Sequence, residues 1–273
     1  MEEELLKSAK EVSVEVYKDL ASPTAKVLGT TVARAVSAAL APIRGTLWVY
    51  EGFEESLKKR LINELIKRKV SHKEIIVPDP LVAGPLIESY RFASHTALND
   101  VYIKLLASSM TKELAHTAHP AFVRLLQAMT PDEALLLKYL CLNRQCASIL
   151  EVHAYHPDDA VGQYLLVRHF SRLGELSGCG YPQLTTSYID NLVRLGILEI
   201  LDGTLLEDEY KIEYEKLEKM ATFDRFEKDI EDVSYDQIRT SRKALKFTDF
   251  GKQFCAACKI DQKLVFITSN HVS

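Results

Sequence analysis

Apolar residues recur every three or four positions along most of this chain, a spacing that predicts a succession of helices. In residues 2–20, Leu5, Leu6, Ala9, Val12, Val16 and Leu20 fall close to one helical face with Glu and Lys opposite, and Ser22-Pro23 ends the segment. Residues 24–50 are rich in Ala, Val and Leu but carry Lys26, Arg34 and Arg44 and are broken at Pro42 and Gly45. A spanning helix takes about 20 predominantly apolar residues and a central Arg is costly there, so the stretch is a poor transmembrane segment. It reads as a small-residue core helix, with an interfacial membrane helix as the alternative. Residues 51–69 are the clearest amphipathic helix. Phe53, Leu57, Leu61 and Leu65 are spaced by four with Ile62 and Ile66 beside them, and Lys58, Lys59, Arg60, Lys67, Arg68 and Lys69 line the rest. Such a charge run is either a solvated face or a basic surface for anionic lipid or nucleic acid.

The stretch VPDPLVAGPL, 77–86, has three prolines and a glycine and reads as a break in regular structure. Helical spacing resumes in LIESYRF, ALNDVYIKLLASSM and PAFVRLLQAM, which predict three helices with short connections. Thr130-Pro131-Asp132-Glu133 then combines an N-cap threonine, a proline at the first helical position and a glutamate completing a capping box, so a helix is expected from Pro131 to about Leu142.

The last third has a different texture. Thr185-Thr186-Ser187 supply N-cap candidates for a helix with Ile189, Leu192 and Val193 inward, stopped by Gly196. Ile197 to Leu201 followed by Asp202-Gly203 reads as a strand entering a turn, and Ala244 to Phe247 as a returning strand ahead of a closing helix, TDFGKQFCAAC. Between the strands lies an acidic insert at about 207–239, whose Tyr210, Ile212, Tyr214, Leu217, Phe223, Phe226 and Ile230 fit a helical or an extended segment. Helix, strand, turn, strand, helix is the order of winged-helix domains. The expected fold is mainly α, with a multi-helix N-terminal domain at 1–128 and a winged-helix-like domain at 129–273.

Composition agrees with a folded globular protein: 47% of the 273 residues are hydrophobic and 26% charged. The net charge of -4 argues against a surface that seeks phosphate everywhere, so any nucleic-acid site is local. The N-terminus lacks a basic region followed by an uninterrupted apolar run, and five cysteines are scattered through the chain. Both features place the protein in the cytoplasm with reduced thiols, with peripheral association at the inner face of the membrane as the variant.

Candidate chemistry is sparse. His116 and His119 sit three apart but lack a third ligand nearby in sequence, and His119-Pro120 fits the start of a helix. Cys255 and Cys258 have no second ligand pair, so they are expected to be buried, inert thiols and no metal is assigned. No GxSxG, Walker-type loop, GxGxxG or HExxH occurs, and no catalytic residue or cofactor follows. Arg144 with His153, and Arg168 with His169, invite comparison with the Arg-x4-His motif of HEPN ribonucleases, but neither has that spacing. The helix before Gly196 offers Asp190, Asn191 and Arg194, a weak set for reading DNA, with Arg194 its candidate nucleic-acid contact.

Taken together, ALAPIRGTLWVYEGFEESLKKRL, LLASSMTKELAHTAHPAFVRLLQAMTPDEALLL, YIDNLVRLGILEI and FTDFGKQFCAAC resemble the Abi-alpha family of bacterial abortive-infection proteins over roughly residues 25 to 260. The most specific stretch includes His119, Pro120, Phe122, Pro131, Asp132 and Glu133. The resemblance implies a helical phage-defence protein and carries over no catalytic residue. These signature positions are expected to serve packing, since small residues before them allow close helix approach and the AHP and TPDE motifs start two successive helices.

Two functions are expected from this reading. The first is a host-defence protein with an unknown protein partner or a membrane surface, the latter through Lys58, Lys59, Arg60 and Lys67. The second is a winged-helix nucleic-acid-binding regulator.

Overall fold

The computed structural model describes residues 23–40, 51–93, 97–143, 146–156, 158, 162–205, 208–227, 230, 235 and 237–260. The expected helix over 2–20 and Arg144 lie outside the described residues. The chain divides into two compact units, 1–127 and 128–273.

The first unit holds α1 (Pro23–Leu40), α2 (Glu51–Lys67), α3 (Pro80–Ala93), α4 (Leu98–Ser109) and α5 (Pro120–Gln127). The spacing-of-four stripe of α2 is its core face: Leu57, Leu61 and Leu65 are fully buried. Val32 and Val36 of α1 are buried with them, and Phe53 meets Tyr90 of α3 with ring centres 5.7 Å apart. α4 is buried on nearly every side, from Leu98 to Met110. Small residues at its end make this feasible, because Ser109 Oγ donates to the Leu106 carbonyl at 2.7 Å and needs no external acceptor. Arg68 ties α2 to α4 by donating to Glu64 Oε1 at 2.7 Å, Ser108 Oγ at 2.9 Å and the Lys104 carbonyl at 3.0 Å. Among the described residues no helix is long and apolar enough to cross a membrane.

The break expected over 77–86 is shorter than its prolines imply. α3 begins within it, at Pro80, and runs through Pro85. Pro80 takes the first helical position, where its missing N–H is unneeded, and Asp79 caps the helix by accepting from Leu81 N at 2.8 Å. Pro85 removes one helical bond, to the carbonyl of Leu81, and Leu81 is exposed enough for water to replace it.

The chain is mainly helical, and its second unit combines helices with a small antiparallel sheet. It runs α6 (Pro131–Asn143), β1 (Cys146–Tyr155), β2 (Gln163–Phe170), α7 (Leu173–Leu176), α8 (Thr185–Arg194), β3 (Leu198–Asp202), α9 (Asp208–Met220), α10 (Phe223–Phe226), β4 (Gln237–Phe247) and α11 (Asp249–Ala257). The sheet order is β2-β1-β4-β3, antiparallel throughout, with Leu198 opposite Phe247 and Leu201 opposite Ala244. The returning strand thus reaches back to Gln237, and the first part of the acidic insert is the helix α9. α9 lies on the sheet because Tyr210, Tyr214 and Leu217 recur at helical spacing and cluster with Leu150 and Val152 of β1.

α8 begins earlier than its Thr-Thr-Ser run suggests. Thr185 is already helical and buried, and its hydroxyl donates to the Pro182 carbonyl at 2.6 Å, so a short 3-10 turn feeds the helix without a side-chain cap. Gly196 does stop it, at φ 71, with Ile197 N donating to the Leu192 carbonyl. The next turn locks onto that stop. Thr248 donates to the Gly196 carbonyl at 2.6 Å while capping α11, and Gly251 lies so close that a β-carbon there would sit 2.0 Å from the Ile197 carbonyl oxygen.

Candidate functional site

The Pro131-Asp132-Glu133 start of α6 carries a dense set of hydrogen bonds among the described residues. Thr130 and Glu133 form the expected capping box: Glu133 N donates to Thr130 Oγ1 at 3.3 Å and Thr130 N to Glu133 Oε2 at 2.5 Å. Each of the two acids also reaches a distant segment. Asp132 accepts from Gly180 N and Tyr181 N, both at 3.0 Å, and from the Tyr188 hydroxyl at 2.8 Å. Glu133, itself buried, accepts from Asn191 Nδ2 at 2.7 Å, and the same amide donates to the Ala128 carbonyl at 2.9 Å. Arg194 in turn donates to Asn191 Oδ1.

The electrostatics follow from these bonds. Burial acts to raise the Asp132 carboxyl, but the donors from Gly180, Tyr188 and Tyr181 outweigh it and hold the group below its ordinary range. Burial and the Asp132 carboxylate together push the Tyr188 phenol up to about 12. Burial raises the Cys179 thiol, with the Asp132 charge adding to it and the Ser177 bond opposing. A raised thiol is a poor nucleophile, and the bonds of this cluster tie the loop at 177–181 and α8 to α6.

Other sequence-predicted residues are dispersed. His119, Pro120 and Phe122 lie in the first unit, where Pro120 opens α5, His119 Nδ1 accepts from Ala121 N at 3.0 Å and Phe122 is buried against the His119 ring. Lys58 pairs with Glu54 at 2.7 Å, and Arg60 donates to Asn99 and approaches Asp100, while Lys59 and Lys67 are exposed. Cys255 and Cys258 are fully buried. Among the described residues no group of three or more His, Cys, Asp or Glu could hold a metal ion. His169 is buried at φ 50 in an irregular stretch of β2, with Nε2 2.9 Å from Asp190 Oδ1. His153 is half-buried on β1.

Tyr188, Asn191 and Cys179, the partners of the signature acids, escape sequence reading because nothing in a spacing of about fifty residues marks them. Also unannounced is a cavity of about 410 Å³ between α6, α7 and α9. Leu140, Leu173 and Leu217 line it as buried residues, and Leu176 and Ile212 line it while 41% and 53% exposed. The charged residues Arg172, Glu209, Glu213 and Lys216 also line it, with Cys146 and Ala147 of β1.

No curated protein matches the chain. A solved structure of an uncharacterized protein from the hydrocarbon-degrading marine bacterium Alcanivorax borkumensis SK2 is similar at 18% identity, over 51% of this chain and 92% of its own, with a TM-score of 0.37. The abortive infection alpha family matches residues 50–258, which takes in both units and every signature residue named above. The chain belongs to the abortive infection alpha family.

Proposed function

We propose that this chain is an abortive-infection-type phage-defence protein that acts by binding another protein, without a catalytic step of its own. Family membership supports the defence role. The observation that carries the mode of action is the state of α8. In a winged-helix reader this helix would bring several free Arg, Lys, Asn or Gln side chains to base edges and phosphates. Here Tyr188 and Asn191 are bonded to Asp132 and Glu133, Asp190 to His169, and Arg194 to Asn191. Its exposed positions, Ser187, Asp190 and Arg194, sum to no net charge. Exposed apolar side chains on the same unit, Leu142, Leu176, Tyr181, Leu184 and Ile212, suit a protein partner better than a phosphate backbone.

The winged-helix reading of this unit draws support from its order. A helix, a strand, two helices and two more strands follow one another as α6, β1, α7, α8, β3 and β4, and β1, β4 and β3 are neighbours in the sheet. The β2 hairpin strand and α9 are additions to that plan. On this reading the signature residues Pro131, Asp132 and Glu133 fix α8 in place and have no chemical role.

Two measurements test the proposal together. Phage plating on bacteria with and without the gene should show protection, lost on changing Leu176 and Ile212 to Asp. Purified protein should leave a DNA duplex unshifted at low salt. Duplex binding that falls steeply as salt rises would replace the proposal with the nucleic-acid-binding regulator.

A further inference from the structure

Strand β4 carries four basic residues, and three of them face acids. Arg242 donates to both carboxylate oxygens of Glu218, Lys246 lies 3.2 Å from Glu199, and Lys243 pairs with Asp202 and Glu151. Arg239 differs. Among the described residues no carboxylate pairs with it, and its guanidinium lies 3.2 Å above the centre of the Tyr155 ring.

The pairing register builds a site around this stack. His153 is directly opposite Arg239 and Tyr155 opposite Gln237, so the four side chains share one face of the sheet. The face is the one turned away from the cluster that α9 covers, since that cluster takes Leu150 and Val152, the alternate residues of β1. Gln237, Arg239 and Ser241 are exposed on it and His153 is half-buried. Its acid, Glu151, is held by Lys243 at 3.5 Å. The Tyr155 hydroxyl is buried with no hydrogen-bond partner among the described residues.

A guanidinium resting flat on an aromatic ring is fixed in direction and keeps its in-plane N–H donors for an oxyanion. An imidazole directly across the ladder carries a ring N–H that can be a second donor at the same anion. We propose that this face binds a phosphate group, with Arg239 as its anchor, Tyr155 as the platform that orients Arg239, and His153 as the second donor. Arg239 is exposed, and a guanidinium stacked on one side can take a nucleobase on the other, so the phosphate carrier it fits is a nucleotide. The site stands apart from the protein-binding role proposed above and does not depend on it.

The test is calorimetric titration of the full chain with inorganic phosphate and with adenosine 5′-monophosphate, alongside NMR of the His153 ring. Saturable binding that shifts the His153 ring signals is expected, weakened roughly tenfold or more by Arg239→Gln, because a charge-assisted pair is removed. Arg239→Lys keeps the charge but not the flat stack and should recover only part of the binding. Arg168→Gln, an exposed cation on the neighbouring strand, should leave it unchanged. Tighter binding of the nucleotide identifies a nucleotide as the carrier; equal binding identifies free phosphate, and either result upholds the site. No saturable binding by the unaltered protein, binding indifferent to Arg239→Gln, or equal loss with Arg168→Gln overturns it.

Discussion

The Tyr188 hydroxyl donates to Asp132 Oδ2 at 2.8 Å, joining α8 to the first turn of α6 across 56 residues of sequence. Asp132 is therefore the acceptor that a loop and two helices share. Asp132→Ala would leave Gly180 N, Tyr181 N and the Tyr188 hydroxyl without it. Water can reach the two backbone donors, so the loss should be about 1–3 kcal/mol and lower the Tm by several degrees in a thermal melt followed by circular dichroism. An unchanged melt would show that the loop is held by other contacts.

Both ends of that bond give the stability a pH signature. Asp132 is held below its ordinary value of 3.8, so its contribution is present above that value and is lost as the pH falls through the lower, folded one. Tyr188 is shifted the other way, to about 12 from 10.0, so its contribution is present below pH 10 and is lost as the pH rises toward 12. An ultraviolet titration, subtracting Tyr188→Phe from the unaltered protein, should isolate one phenol ionising near 12. A difference curve centred near 10 would mean that the phenol is not bonded to the carboxylate in solution.

Gly251→Ala is expected to be far more disruptive than an alanine in a helix usually is. Its β-carbon would meet the Ile197 carbonyl at 2.0 Å, and that atom is backbone, fixed by the Thr248 bonds beside it. Overpacking of this kind costs about 1–3 kcal/mol or more, where alanine would otherwise gain from its higher helix propensity. Denaturant unfolding should give a lower midpoint for the variant; a raised midpoint would sink the prediction.

The basic helix α2 separates into structural and free charges. Arg60 donates to the buried Asn99, whose own Nδ2 has no partner among the described residues. Arg60→Gln should therefore cost about 1–2 kcal/mol by leaving that amide unbonded at both ends, while Lys59→Gln and Lys67→Gln stay within about 0.5 kcal/mol. Parallel melts of the three variants check this. Vesicle co-sedimentation is better run on the two lysine variants, because loss of binding in an Arg60 variant would mix surface charge with folding.

The helix α2 was legible because it buries one face, so that Leu57, Leu61 and Leu65 repeat at the helical period. The capping box at Thr130 and the stop at Gly196 were legible for a local reason, since both are short-range hydrogen-bond motifs. The hairpin of β1 and β2 was not. β1 is a central strand whose residues 147–150 are buried on both faces, and CASILEVHAY accordingly lacks a clean alternation. β2 slips register against β1 twice, which scrambles its period. The helical state of α9 could be settled only by the sheet that Tyr210, Tyr214 and Leu217 cover. The candidate sites share this limit, since Asp132 meets Tyr188, and His153 meets Arg239, only after distant segments have folded together.

The irregular register of β2 has a further consequence, for the protein in a crowded cell. β2 is an outer strand of eight residues in which Leu165, Leu166 and Val167 are only half covered, the kind of edge on which a second copy could add a strand of its own. Two register shifts and the left-handed His169 bend the strand out of the flat geometry that such addition needs. At high concentration this bend works against edge-to-edge self-association of the chain.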